Sequence, residues 1–241
     1  MSSSILKKCL ACAGKVMKGL QLNHLGFAIR GHALFNDLNA HFQPGKIIAL
    51  AGANGCGKST LLSILAGLNQ PHAGEVLFNG HNLYRNHQYS QIGYLPHLPG
   101  LYPYLTVAEN LIWLKKLQGC KAPLASVQAF MKKHQILDLK DNLFGKLSDG
   151  QKKRVNLLAT IMPDPDLLIL DEPCSLLDLK QRQGVWELLD SLRKPHNIIL
   201  FSTHHISEIT SLCDDIVLLH EGQLHFEKRR LPVNELIHST A

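Results

Sequence analysis

Long apolar runs are missing from this sequence of 241 residues. A helix that crosses a bilayer needs about 20 consecutive apolar residues. The longest stretches here, at 167–170 and 198–201, have the length of buried strands. Any part in a membrane process is therefore expected to be played from outside the bilayer. A disulfide framework is missing too. Cys9, Cys12, Cys56, Cys120, Cys174 and Cys213 are scattered. The Cys9-x-x-Cys12 spacing has no second pair or nearby histidine to complete a metal or redox site. The pattern suits a reducing cytoplasm. Extended basic tracts are also lacking. With a net charge of +6, the only clusters are Lys152-Lys153-Arg154 and Lys228-Arg229-Arg230, so no nucleic acid partner is expected. No internal repeat or low-complexity segment is present.

What the chain does have is an apolar fraction of 45%, enough to bury a core. Residues 1–18 read as an N-terminal extension, expected to be disordered unless synthesis begins at Met17. Residues 20–25 and 41–42 read as edge strands around a turn at Gly31-His32. Ile47 to Ala51 form a short apolar strand that runs into a glycine-rich loop, and 59–68 has helical spacing. A further strand at 75–78 closes on the Asn79-Gly80 turn. From about 95 to 160 the chain looks different. An irregular loop holding Pro96, Pro99, Gly100 and Pro103 leads to Thr106, three residues before Glu109. That capping-box pattern opens a helix through Leu117. Helices are also expected at 125–134 and 152–161. Beyond this helical insertion, 167–170 and 198–201 are near-continuous apolar strands of the kind buried on both faces of a parallel sheet, with a helix at 182–192 between them.

The glycine-rich loop is Gly52-Ala53-Asn54-Gly55-Cys56-Gly57-Lys58-Ser59-Thr60, a complete match to G-x-x-x-x-G-K-[ST]. Glycines let the backbone turn its N–H groups toward phosphate oxygens where side chains would collide. The helix that follows points its positive end at the same phosphates. Lys58 is expected to reach the β- and γ-phosphates and Ser59 to offer its hydroxyl to Mg²⁺. The strand before and the helix after supply the context the motif needs, so ATP binding is predicted. Cys56 sits inside the loop. Tolerance of a small side chain is one reading, and sensitivity to thiol reagents is the sharper one.

The strand at 167–170 delivers Asp171-Glu172-Pro173 at its carboxyl end, where α/β sheets bind ligands. Asp171 is expected to hold Mg²⁺ and Glu172 to polarise an attacking water. Splitting a phosphoanhydride needs positioning and charge neutralisation rather than covalent chemistry.

Two more segments narrow the family. Leu147-Ser148-Asp149-Gly150-Gln151 resembles the LSGGQ signature of ATP-binding cassette (ABC) transporter ATPases, and Ser202-Thr203-His204 resembles their switch histidine. With the phosphate loop and the acidic strand end, these markers occur in the family's order over about residues 20–225. The resemblance implies an α/β P-loop NTPase core with an antiparallel β subdomain and a helical signature-motif subdomain, spanning 19–226, with a tail at 227–241. It implies ATP and Mg²⁺ as ligands and a head-to-tail pairing with a second ABC ATPase domain, identical or a paralogue. ATP held at Gly52, Asn54, Gly55, Cys56, Gly57, Lys58, Ser59 and Thr60 would be clamped in trans by Ser148, Gly150 and Gln151. Glu172 and His204 would be catalytic, and Asp178 would lie in the loop crossing the dimer interface. His97 would lie in the loop coupled to a separate transmembrane permease subunit. The implied location is cytoplasmic, peripheral on the inner face of the cell membrane.

Several positions depart from that pattern. Asp149 replaces a small residue of the signature and His97 stands where glutamine is usual. Cys174 and Leu176 are unusual beside the acids. The adenine-stacking aromatic is missing near Ile29, with Phe27 a weak substitute. A pseudo-ATPase that binds without turnover is the alternative these changes raise. The segment from Pro99 to Asn110 resembles exporter ATPases with separate membrane subunits. His97 and the Leu-Ser-x-Gly-Gln form resemble the haem-exporter ATPases of cytochrome c maturation. Soluble ABC ATPases with no transport role usually carry coiled-coil insertions or two cassettes, and neither is seen here.

Overall fold

The computed structural model describes residues 18–86, 91–98, 100–117, 123–175 and 177–228. The N-terminal extension before Lys18, the start at Met17, the Cys9 and Cys12 pair, Pro99, Cys120, Leu176 and the tail beyond Lys228 lie outside the described residues. Strands β1 (Leu20–Ile29) and β2 (His32–Phe42) form a hairpin, and β3 (Lys46–Ala51) leads into α1 (Lys58–Leu65). Then come β4 (Ala73–Phe78), β5 (His81–Asn82), α2 (Leu83–Asn86) and β6 (Ile92–Leu95). A helical stretch follows, with α3 (Val107–Leu117), α4 (Leu124–Lys133), short 3-10 turns at Leu137–Leu139 and Phe144–Lys146, and α5 (Asp149–Ile161). The chain returns to the sheet with β7 (Leu167–Asp171), α6 (Leu179–Ser191), β8 (Ile198–Ser202), α7 (Ile206–Leu212), β9 (Asp215–His220) and β10 (Gln223–Lys228).

Two sheets result. One has four strands in the order β2-β1-β4-β5, all antiparallel, and the other has six in the order β10-β9-β3-β8-β7-β6. In the larger sheet β9, β3, β8, β7 and β6 are parallel to their neighbours, and β10 pairs antiparallel with β9. Strands β3, β8 and β7 are buried along their whole length, apart from Lys46 at the start of β3. Their period of two sorts alternate residues onto opposite faces. Ile48, Leu50, Leu167, Ile169, Ile198 and Leu200 meet α1 and the antiparallel sheet in one core. Ile47, Ala49, Leu168, Leu170, Ile199 and Phe201 meet the helical stretch and α6 in the other. A near-continuous apolar strand is what burial on two faces demands.

The structure corrects the sequence expectations in places. β1 is not an edge strand: it lies between β2 and β4, with Leu20, Leu22 and Leu25 fully buried. Helix α5 begins three residues before the expected 152, because Ser148 caps it. α6 likewise begins at Leu179 behind an Asp178 cap, before the expected 182. β6 and the β9–β10 hairpin were not anticipated as strands. The capping box at Thr106 is present: Glu109 N–H donates to Thr106 Oγ1 at 3.2 Å, and Thr106 N–H donates to Glu109 Oε2 at 2.7 Å. Among the described residues, no helix is long and apolar enough to cross a membrane.

Candidate functional site

Four neighbouring parallel strands, β3, β8, β7 and β6, end on the same side of the larger sheet. Their carboxyl ends release, in that order, the glycine-rich loop, Ser202 to His204, Asp171 with Glu172, and His97. The sheet register brings them together: Leu50 pairs with Ser202, Asp171 with Ser202, and Leu95 with Leu170.

The loop begins at Gly52, with φ 152°, where an added Cβ would stand 2.6 Å from the Leu219 carbonyl oxygen. It ends at Gly57, the N-cap of α1, with φ 105°, where a Cβ would stand 3.0 Å from the Phe35 ring. Both positions need glycine for conformation and for room. Asn54, Gly55 and Ser59 are exposed, Cys56 and Thr60 are half-buried, and Lys58 is buried. Lys58 Nζ does not project outward here. It donates to the carbonyl oxygens of Gly52 and Ala53, both at 2.8 Å.

Asp171 is buried, and its Oδ1 accepts from Ser202 Oγ at 2.6 Å. The same serine oxygen accepts from the Glu172 backbone N–H at 2.9 Å. One hydroxyl therefore fixes both acids. Sequence reasoning gave Ser202 no role; its only signal was a polar residue ending a strand otherwise made of Ile, Leu and Phe. Glu172 has φ 48°, the left-handed region. Its carboxylate oxygens face two imidazoles, with Oε1 3.4 Å from His204 Nδ1 and Oε2 3.6 Å from His97 Nδ1.

The groups behind the carboxylates are more deeply buried than the two imidazoles, which are about half exposed. Burial pushes the Tyr94 phenol up to about 12, helped by the charge on Asp171. Burial holds Lys153, from α5, below the usual lysine range, while Asp171 and Glu172 pull it back up. Cys174 is pushed up to about 12, by burial first and the Glu208 charge second, so its thiol stays protonated and unreactive. Glu208 is raised by burial, against a hydrogen bond with Thr203, and its Oε1 is buried with no hydrogen-bond partner among the described residues. His205 is lowered by burial and then by His204 and Arg182.

The other expected residues stand apart from this group. Ser148 caps α5. Its Oγ accepts from Gln151 N–H at 3.3 Å, and Gln151 Oε1 accepts from Ser148 N–H at 3.0 Å. Among the described residues, neither hydrogen-bonds to the glycine-rich loop. Gly150 lies against Gln181, which a Cβ would approach to 3.2 Å. Asp149 points to solvent and lies 3.8 Å from Lys152 Nζ. Asp178 caps α6, accepting from Gln181 N–H at 2.8 Å. Ile29 is exposed, and Phe27 packs against the His72 ring with centroids 5.1 Å apart.

The ABC transporter family model matches residues 35–175. A sulfate/thiosulfate import ATP-binding protein of Chromobacterium violaceum is 33% identical over 216 residues, 85% of this chain and 60% of that protein. A Nod factor export ATP-binding protein of Burkholderia pseudomallei is 35% identical over 190 residues, 77% of this chain and 62% of that protein. An aliphatic sulfonates import ATP-binding protein of Xanthomonas axonopodis pv. citri is 36% identical over 222 residues, 89% of this chain and 87% of that protein. The chain thus spans about three-fifths of the length of the first two relatives and most of the third. A solved structure of an ATP binding subunit of an ABC transporter superposes with a TM-score of 0.83 at 25% identity, over 92% of this chain and 99% of that one. The likeness runs through the matched segment and the two-sheet architecture alike, and the chain belongs to the ABC transporter family, with the ABC ATPase fold.

Proposed function

We propose that the chain is the ATP-hydrolysing subunit of a transporter whose membrane-spanning part is a separate protein. The observation that carries this reading is the convergence of the phosphate loop, Asp171, Glu172 and His204 at the ends of adjacent strands. The loop N–H groups would bind the phosphates of ATP, and Lys58 would exchange the carbonyls of Gly52 and Ala53 for phosphate oxygens. Glu172 would accept a hydrogen bond from the attacking water, and His204 would steady that water against the γ-phosphate.

Ser59 and Asp171 would hold Mg²⁺. Among the described residues, no group of three or more His, Cys, Asp or Glu side chains could hold a metal ion by itself. One hydroxyl and one carboxylate beside a phosphate loop suit Mg²⁺, which is commonly held by a carboxylate or two plus substrate phosphates. When bound, the ion neutralises charge on the phosphates.

Ser148, Gly150 and Gln151 would complete the site of a second copy or a paralogue, with Asp178 in the loop between the two. The Ser148 oxygen already accepts from Gln151 N–H, which leaves its own proton to donate. His97 would lie in the loop facing the membrane partner. Export is the direction proposed, on the resemblance of residues 99–110 to exporter ATPases. Relatives named for import and for export match at similar identity, so identity does not set the direction. Haem is the second reading of the cargo, on His97 and the form of 147–151.

The test is Mg²⁺-dependent phosphate release by the purified chain. Glu172→Gln should lower kcat about 100-fold or more with ATP binding kept. Full activity in that variant would remove Glu172 from its role. Co-purification of a membrane protein from solubilised membranes checks the partner.

A further inference from the structure

Three residues that follow three adjacent strands meet at one carboxylate. His97 comes two residues after β6, Glu172 directly after β7 and His204 two residues after β8. Because β7 lies between β6 and β8, Glu172 is flanked from both sides. His204 Nδ1 stands 3.4 Å from Oε1 and His97 Nδ1 stands 3.6 Å from Oε2. We infer that His97 is a positioning residue for Glu172, holding the oxygen that His204 leaves free. The inference rests on the reading of Glu172 as the group that polarises water.

The physical argument begins with the glutamate side chain. Its terminal torsion joins an sp³ to an sp² carbon and is soft, with a broad preference. A contact to one oxygen leaves the carboxylate plane free to turn about that torsion. Contacts to both oxygens, from opposite sides, fix the plane. The backbone beneath is fixed as well, since Glu172 N–H donates to the buried Ser202. Such a carboxylate presents its lone pairs in one direction, which is what a water-polarising group requires.

A glutamine at position 97 could place a donor on the same oxygen, so the positioning role does not require an imidazole. The other charged or titratable groups that feel Glu172 are Lys153 from α5, and His205 and Glu208 at the start of α7. Among the described residues, none of these three makes an ion pair or hydrogen bond with Oε2, whereas His97 Nδ1 stands 3.6 Å from it.

The experiment uses the full chain and compares His97→Ala, His97→Gln and Glu172→Gln with the parent, measuring kcat and KM for ATP from pH 6 to 9. His97→Ala should lower kcat about 10-fold with KM within about twofold, since the loop that binds ATP is untouched. His97→Gln should recover most of kcat at pH 8. His97→Ala with parental kcat across the range would overturn the inference. So would a glutamine variant as slow as the alanine one at pH 8. If Glu172→Gln is inactive while the His97 variants behave as the parent does, only this inference fails. A parent without ATPase activity, or a fully active Glu172→Gln, ends both.

Discussion

Replacing Ser202 with alanine removes a single oxygen and should be felt in both stability and metal dependence. That oxygen donates to Asp171 Oδ1 at 2.6 Å and accepts from Glu172 N–H at 2.9 Å, at a residue with no exposure to solvent. A hydrogen bond to a charged group contributes about 1.5–3 kcal/mol and a neutral one about 1 kcal/mol, so the loss should come to about 3 kcal/mol. The void left by one hydroxyl is too small to admit a water that could replace both bonds. For a domain of this size, each kcal/mol lowers Tm by about 2–4 °C, which gives a drop of about 6–12 °C. Thermal melting followed by circular dichroism reads this directly. In the same variant Asp171 is free to turn, so half-saturation by Mg²⁺ in the ATPase assay should move to higher concentration. A Tm drop below about 2 °C, with unchanged Mg²⁺ dependence, would refute the claim that this hydroxyl fixes both acids.

Asn110 is fully buried in α3, donating to the carbonyls of Tyr102 at 3.0 Å and Thr106 at 3.0 Å and accepting from Tyr102 N–H at 2.8 Å. Asn110→Ala should therefore cost about 2–4 kcal/mol in urea unfolding, and a cost under about 1 kcal/mol would show that the loop before α3 does not depend on it. Glu208 gives a pH prediction whose sign is fixed by its raised carboxyl. The folded chain binds its proton more tightly than the unfolded chain, so the cost of burying the charge is absent at low pH. It grows as pH rises above the ordinary value of 4.5. Glu208→Gln should accordingly gain stability over the parent as pH rises above 4.5, the gap levelling off once the folded chain has also lost the proton, and a gap that does not change with pH would contradict this.

Where the chain could be read from sequence, local and global demands coincided. The strand at 47–51 and the two at 167–170 and 198–201 were legible because burial on both faces leaves no polar residue to confuse their period. The glycine-rich loop was legible because its backbone conformation and its chemistry require the same residues. β6 escaped notice because it is four residues long and includes Gly93, chosen for room. A Cβ there would stand 2.8 Å from Pro165. The β9–β10 hairpin escaped because its turn, Glu221-Gly222, takes positive φ at both residues, and only Gly222 signals that in sequence. The pairing of His97 with Glu172 could not be read at all. It depends on β6 lying next to β7, and nothing in 92–97 or 167–172 encodes which strands are neighbours.

The left-handed backbone at Glu172 has a consequence for how this protein can change. A side chain at φ 48° costs about 1 kcal/mol relative to glycine or a short amide side chain. Glu172→Gly or Glu172→Asn should therefore relax the backbone and tend to raise the melting temperature while silencing turnover. Stability and catalysis pull in opposite directions at this one residue. Any library screened for heat resistance alone would drift toward an inert protein through position 172, so a screen of this chain has to hold activity and thermal tolerance together.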